Sequence, residues 1–216
     1  MKKILLAGAV ALFGLSNAQI AKGTTYLSGQ VGYSQTEDNN DNTKVENFKV
    51  LPTVGYFVDT NLAVGLGVGY KTKKNTETTS TTTTVFDAEK TKSAFVVAPF
   101  VRKYWTLADK LYIFGQLEVP MEFGQNKVEG TTTTTIGGNT ATTSSSTKNN
   151  YTSIGVNVKP GLDYFLNKNW TIEATIGEFG YNTSKENVDG AKRVNDYKFG
   201  LNLTSVTFGV KYVFGK

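Results

Sequence analysis

Eight charged side chains stand at positions where charge carries a cost. Lys49, Arg102, Lys159 and Lys211, with the carboxylates Glu118, Glu122, Asp163 and Glu173, all lie within segments that otherwise alternate large apolar residues with small or polar ones. Each occupies the parity opposite the apolar residues of its segment, so in an extended strand all eight point to the face away from them. Four cations and four carboxylates confined to one narrow interior are expected to pair, because a buried charge without a partner is expensive. Two chemistries follow from that arrangement. One is a static plug of ion pairs with trapped water; the other is a narrow gate in which Arg102 exchanges carboxylate partners.

Other chemistries fall away. Glu118 and Glu122 invite comparison with a glycosidase pair, but four residues along one strand face separate them by roughly 13 Å, outside both usual geometries. The chain has no histidine and no cysteine, which removes the commonest acid–base group, most zinc sites, thiol nucleophiles and disulfides. Gly65-Leu66-Gly67-Val68-Gly69 lies inside a strand pattern with no helix after it, so its glycines are expected to make room inside the fold and not to cradle a phosphate. No metal constellation is visible. The expectation is a protein that is not an enzyme and uses no cofactor.

The elements that must position these charges repeat a unit. Phe48, Val50, Pro52, Val54 and Tyr56 share one parity before a turn at Asp59-Thr60-Asn61. Phe95, Val97, Pro99 and Val101 do so before Thr106 to Lys110, and Val156, Val158, Pro160, Leu162 and Tyr164 before Asn167-Lys168-Asn169. Period-two alternation predicts eight strands, at about residues 24–35, 47–58, 62–71, 92–105, 111–125, 151–166, 170–181 and 197–214. In the last, the phase slips between Leu203 and Val206, which suggests a bulge near Thr204-Ser205 or a later start. Long polar connections near 36–46, 72–91, 126–150 and 182–196 alternate with the short turns. Their threonine tracts, as in residues 78–84, 131–135 and 141–147, are read as mobile loops or as outward extensions of the hairpins, threonine being a good strand former.

Short turns at one end and long connections at the other predict an all-β, eight-stranded antiparallel transmembrane β-barrel, with short periplasmic turns and long extracellular loops. Aromatic placement agrees. Trp105, Trp170, Tyr26, Tyr56, Phe57, Tyr112, Tyr164, Phe165, Tyr212 and Phe214 lie at the short-turn end; Tyr33, Phe48, Tyr70, Phe95, Phe123, Tyr151, Tyr181 and Tyr197 lie at the other. From Phe48 to Tyr56 the strand rises roughly 26 Å, or about 20 Å along the membrane normal at a ~40° tilt, which suits an outer membrane. A secreted lipocalin-like barrel would invert the two parities, and the aromatic rings and loop asymmetry argue against it. The three prolines share the outward parity at equivalent depth, where local bulges are expected.

Residues 1–18 read as a secretory signal: Lys2 and Lys3, an apolar run from Ile4 to Leu15, then Ser16-Asn17-Ala18. Removing it lowers the net charge from +5 to +3, a weak and dispersed basic balance that gives no nucleic-acid patch. Residues 19–216 are expected to form one barrel domain.

The 52–70 and 95–114 hairpins and the closing strand from Val206 to Phe214 resemble the small outer-membrane β-barrel family of Gram-negative bacteria, of which the OmpA and OmpX barrels are familiar eight-stranded members. The resemblance covers nearly the whole mature chain. It implies residence in the cell outer membrane among lipids and lipopolysaccharide, insertion by the barrel-assembly machinery with the final strand as its signal, and a monomer. The chain departs from such barrels by placing Gly215 and Lys216 after the final aromatic. The functions in view are envelope structure or surface interaction, with a narrow gated small-solute pore, or adhesion and ligand binding through the threonine-rich loops, as alternatives.

Overall fold

The computed structural model describes residues 20–200 and 206–214. The export signal, the phase slip at Thr204-Ser205, and Gly215 with Lys216 lie outside the described residues. The chain forms β1 (Thr25–Asp38), β2 (Thr43–Asp59), β3 (Leu62–Ser80), β4 (Thr84–Ala108), β5 (Leu111–Glu118), β6 (Met121–Ile136), β7 (Asn139–Phe165), β8 (Trp170–Ile176), β9 (Phe179–Glu186), β10 (Val194–Lys198) and β11 (Val206–Phe214). Neighbours pair antiparallel from β1 through to β8, and β11 pairs both β8 and β1, so the sheet closes on itself.

Eight continuous strands are expected; the described residues form eleven segments, and prolines stand at two of the divisions. β5 and β6 both lie between β4 and β7, so they are two halves of one pass across the barrel. They divide at Val119-Pro120, where the register sets Val119 against Pro99 and Pro120 against Ala98, so two residues without an N–H lie one step apart on the facing strands; the Val119 amide reaches the Pro99 carbonyl at 3.0 Å. β8 and β9 likewise both pair β7 and divide at Gly177-Glu178, beside Pro160. Their registers, Val158 with Phe179 and Gly161 with Thr175, differ by one residue, so Gly177 (φ 80°) is a bulge. At Pro52 the β2–β3 ladder skips from Val50–Tyr70 to Thr53–Gly67 without slipping register. Each proline removes one ladder donor, and the ladder is interrupted at that height. The strand expected over 197–214 is β10 and β11.

The apolar parity faces out. Val54, Leu66, Leu117, Val156 and Val210 are each about half exposed, while Phe57 and Ala63, on the other parity of the same hairpin, are completely buried. That inversion is what a lipid solvent requires. The outward aromatics form two rings. Tyr56, Trp105, Tyr164, Trp170, Tyr212 and Phe214 lie at the short-turn end, with Trp170 and Tyr212 stacked edge-on at 5.0 Å, and Tyr33, Phe48, Tyr70, Phe95, Phe123, Tyr181 and Tyr197 lie at the other. Tyr26, Phe57, Tyr112 and Tyr151 do not belong to these rings: their parity is inward and they are buried, while Phe165 packs beside Tyr112. The first three, with Phe100, Tyr104 and Phe114, floor the lumen at the short-turn end.

Two short turns share one design. Asn61 (φ 58°) and Lys110 (φ 62°) take the left-handed position, and a register shift follows at Phe57/Asp59 and Thr106/Ala108, the three-residue hairpin with a bulge. At the other end the two longest connections, 72–91 and 126–150, are strand almost throughout, while residues 187–193 join β9 to β10 as a loop. β3 and β4 pair as far as Ser80–Val85, and β6 and β7 as far as Ile136–Asn139, closed by Gly137 and Gly138 at positive φ as a two-residue turn demands. Hydroxyls bridge the strands along the way, Thr135 to Thr140 at 3.1 Å and Thr84 to Thr134 at 3.3 Å. From Phe123 in the outer ring to Ile136 the strand runs on for roughly 43 Å.

Candidate functional site

The lumen is organised in layers above its aromatic floor. Lys211 on β11 and Asp163 on β7 form a fully buried ion pair. Lys211 Nζ also donates to the Tyr104 hydroxyl at 3.2 Å, and that same oxygen accepts from Arg102 Nη1 at 3.2 Å. Tyr104 therefore joins two ion pairs. Four buried polar atoms, Tyr26 Oη, Ser28 Oγ, Asp163 Oδ1 and Thr171 Oγ1, have no protein partner. Ser28 and Thr171 flank Lys211 in register, so these atoms mark where ordered water is needed.

One layer up, Arg102 donates through Nη1 to Glu173 Oε2 at 2.6 Å and through Nε to Gln116 Oε1 at 2.7 Å. Its guanidinium lies 4.2 Å from the Phe114 ring centroid. Gln30 Nε2 reaches the other Glu173 oxygen at 3.3 Å. These groups meet because Gly161 and Gly65 admit rings: a Cβ on Gly161 would strike Phe114, and one on Gly65 would strike Phe100. The glycines of the Gly65–Gly69 run do make interior room.

The network continues upward without a break. Gln116 Nε2 donates to Glu118 Oε2 at 2.7 Å. Glu118 pairs with Lys159, Lys159 reaches Glu178 at 3.3 Å, and Glu178 reaches Lys198 at 3.4 Å. Near the outer ring Glu122 pairs with Lys71 and accepts from the Tyr151 hydroxyl at 3.5 Å. Glu118 and Glu122 thus serve different cations and share no work.

Of the eight residues expected to pair, seven do so; Lys49 does not, because the carboxylates around it are already taken. Six others were missed. Lys71 and Gln116 continue the inward parity of β3 and β5 and were legible. Tyr104 and Gln30 were legible in the same way, although nothing marked them as bridges. Glu178 and Lys198 were not: unbroken alternation from Glu173 places Glu178 outside, and the Gly177 bulge turns it into the lumen.

Beyond the outer ring the charges are exposed. Lys74 donates to and pairs with Glu89 at 2.7 Å, which holds the Glu89 carboxyl below the usual carboxylate range and raises the Lys74 ammonium. At the β1–β2 turn the Asn40 amide donates to Asp38 Oδ1 at 2.9 Å and lowers its pKa.

Solved structures that resemble this fold include the N-terminal barrel domain of OprF from Pseudomonas aeruginosa (10% identity, 90% of this chain and 100% of that one, TM-score 0.33). Ail, the attachment invasion locus protein of Yersinia pestis, is another (15%, 89% and 99%, 0.34), as is the Neisserial surface protein A (16%, 92% and 100%, 0.37). No curated protein matches the chain. The outer membrane protein beta-barrel domain family matches residues 5–214. With its closed antiparallel sheet, outward apolar face and two aromatic rings, the chain belongs to the outer membrane protein beta-barrel domain family and resides in the outer membrane.

Proposed function

We propose that the protein is a structural outer-membrane scaffold that displays threonine-rich hairpins outside the cell for surface contact. The observation that carries this reading is the continuation of β3, β4, β6 and β7 as paired strands far past the outer aromatic ring. A barrel needed only to span the membrane has no use for that length. Below the hairpins the lumen holds bonded side chains from Asp163 to Glu122, which supports a rigid plug over a conducting pore. Residues 1–18 act as the export signal and 19–216 as the barrel, a monomer inserted by the barrel-assembly machinery among lipids and lipopolysaccharide. The absence of histidine from the chain supports a non-enzymatic role.

Three measurements test this. Outer-membrane protein run on a gel with and without boiling should migrate differently until heated. A cysteine introduced at Gly137 should react with an impermeant thiol reagent on intact cells. Labelling only after lysis would overturn the display reading. Single-channel recording decides the pore: steady conductance altered by Arg102→Ala would replace the scaffold with a gated channel, and unaltered conductance would leave Arg102 without a gating role.

A further inference from the structure

Around Lys49 the charges do not balance. Lys49, Lys71, Lys159 and Lys198 share that space with Glu118, Glu122 and Glu178. Lys71 takes Glu122, Lys159 takes Glu118, and Lys159 and Lys198 divide Glu178 between them at 3.3 and 3.4 Å. Lys49 is left over: among the described residues it makes no ion pair and donates no hydrogen bond. Residues 1–19, 201–205, 215 and 216 contain no aspartate or glutamate, so every acidic side chain lies among the described residues. The setting of Lys49 makes the surplus worse. It stands directly opposite Lys71 in the β2–β3 ladder, and Lys159 is the charge that acts on it most strongly. Like charges brought together on facing strands are unfavourable unless something neutralises them.

The space to do so is present. Lys49 opens onto a cavity of about 480 Å³ whose wall also carries Lys159, Lys198, Glu178, Thr175 and Gln30. Thr175 accepts from Gln30 at 3.3 Å, which leaves its own hydroxyl hydrogen free to donate. The cavity is several times larger than one bound water requires. It therefore combines an unpartnered ammonium, a second ammonium close by and a hydroxyl donor.

We propose that this cavity binds a small oxyanion-bearing solute, a phosphate or a carboxylate, with Lys49 as its principal cation and Lys159 as the second. One anionic group brings the four lysines and three glutamates to neutrality. Lys71 and Lys159 keep their carboxylates throughout, so only Lys49 is uncommitted before the solute arrives. The site depends on the fold and not on what the outer hairpins contact.

The test uses the full chain refolded in zwitterionic detergent micelles, titrated calorimetrically with inorganic phosphate and separately with acetate. The wild type is expected to give saturable heat with at least one of them. Phosphate alone would define a phosphate site, and both would define a general oxyanion site. Lys49→Gln should weaken binding about tenfold or more, the loss expected for one charge-assisted hydrogen bond. Lys49→Arg should stay within a few-fold of the wild type, and Lys198→Gln, at the rim, should weaken binding less than Lys49→Gln. A wild type that gives no saturable heat with either anion, or a Lys49→Gln protein that binds as the wild type does, overturns the proposal. Heat-dependent gel migration of the same samples separates failure of the site from failure of the barrel: shift retained with binding absent condemns the site alone.

Discussion

Arg102 is the residue on which the lumen turns. It meets Glu173, Gln116 and Tyr104 at once and lies over Phe114. Removing one member of a buried pair strands the other, which costs more than the pair contributes. Arg102→Ala should therefore lower unfolding free energy by about 3–5 kcal/mol in urea titrations of the micelle-bound protein. The double variant Arg102→Met with Glu173→Gln should recover a large part of that loss, since both charges are then gone. A double variant that loses the sum of the two single-variant losses would mean that the pair is not coupled. At the exposed Lys74–Glu89 pair the sign is set by the carboxylate. Its pKa is lowered in the fold, so the pair's contribution is present above the ordinary glutamate range and is lost as pH falls through the depressed value. Both side chains are largely solvated, so the contribution is small. An NMR titration of Glu89 should show a midpoint below that of a free glutamate, and Lys74→Met should move it upward.

At the level of the strand, parity decides which side chains can meet. Gly65 and Gly161 lie on inward parity opposite the Phe100 and Phe114 rings. Gly65→Val should cost about 1–3 kcal/mol or more by overpacking, measured by urea unfolding, and adding Phe100→Ala should recover only part of it, because the new Cβ also meets the Val54 carbonyl at 2.3 Å. A Gly65→Val protein as stable as the wild type would mean that both the Phe100 ring and the Val54 backbone can move aside. The prolines belong to this scale too. Their positions were legible as a repeated feature, but each acts through a missing donor on a neighbouring strand. Which neighbour loses its ladder depends on pairing that local sequence does not contain. The division at Val119-Pro120 arises where Pro99 and Pro120 fall one step apart on facing strands, though twenty-one residues apart in sequence.

For the whole molecule, the lipid-facing band and the outer hairpins are separable. The hairpin tip formed by β6 and β7 contributes nothing to the band between the two aromatic rings. Deleting residues 131–144 should leave the boiling-dependent gel shift intact and abolish surface labelling at that tip. Loss of the shift would mean that the outer sheet is needed for closure. The outward direction of the apolar parity was legible only through context. Alternation alone suits a lipocalin-like barrel equally well, and it took the turn asymmetry and the terminal aromatics to choose.

The sequence by itself determined the strand periodicity, the inward placement of Arg102, Lys211, Asp163 and Glu173, and the contrast between short turns and long connections. These are local properties: side chains alternate every two residues whatever the neighbours are. Tertiary structure decided who pairs with whom. Lys71 took Glu122, Glu178 entered the lumen through a bulge, and Lys49 was left without a carboxylate. It also decided that Tyr26, Phe57 and Tyr112 fill the floor and do not ring the membrane. Pairing across a closed barrel depends on register and closure, which bring together residues far apart in the chain, and no local pattern encodes those distances.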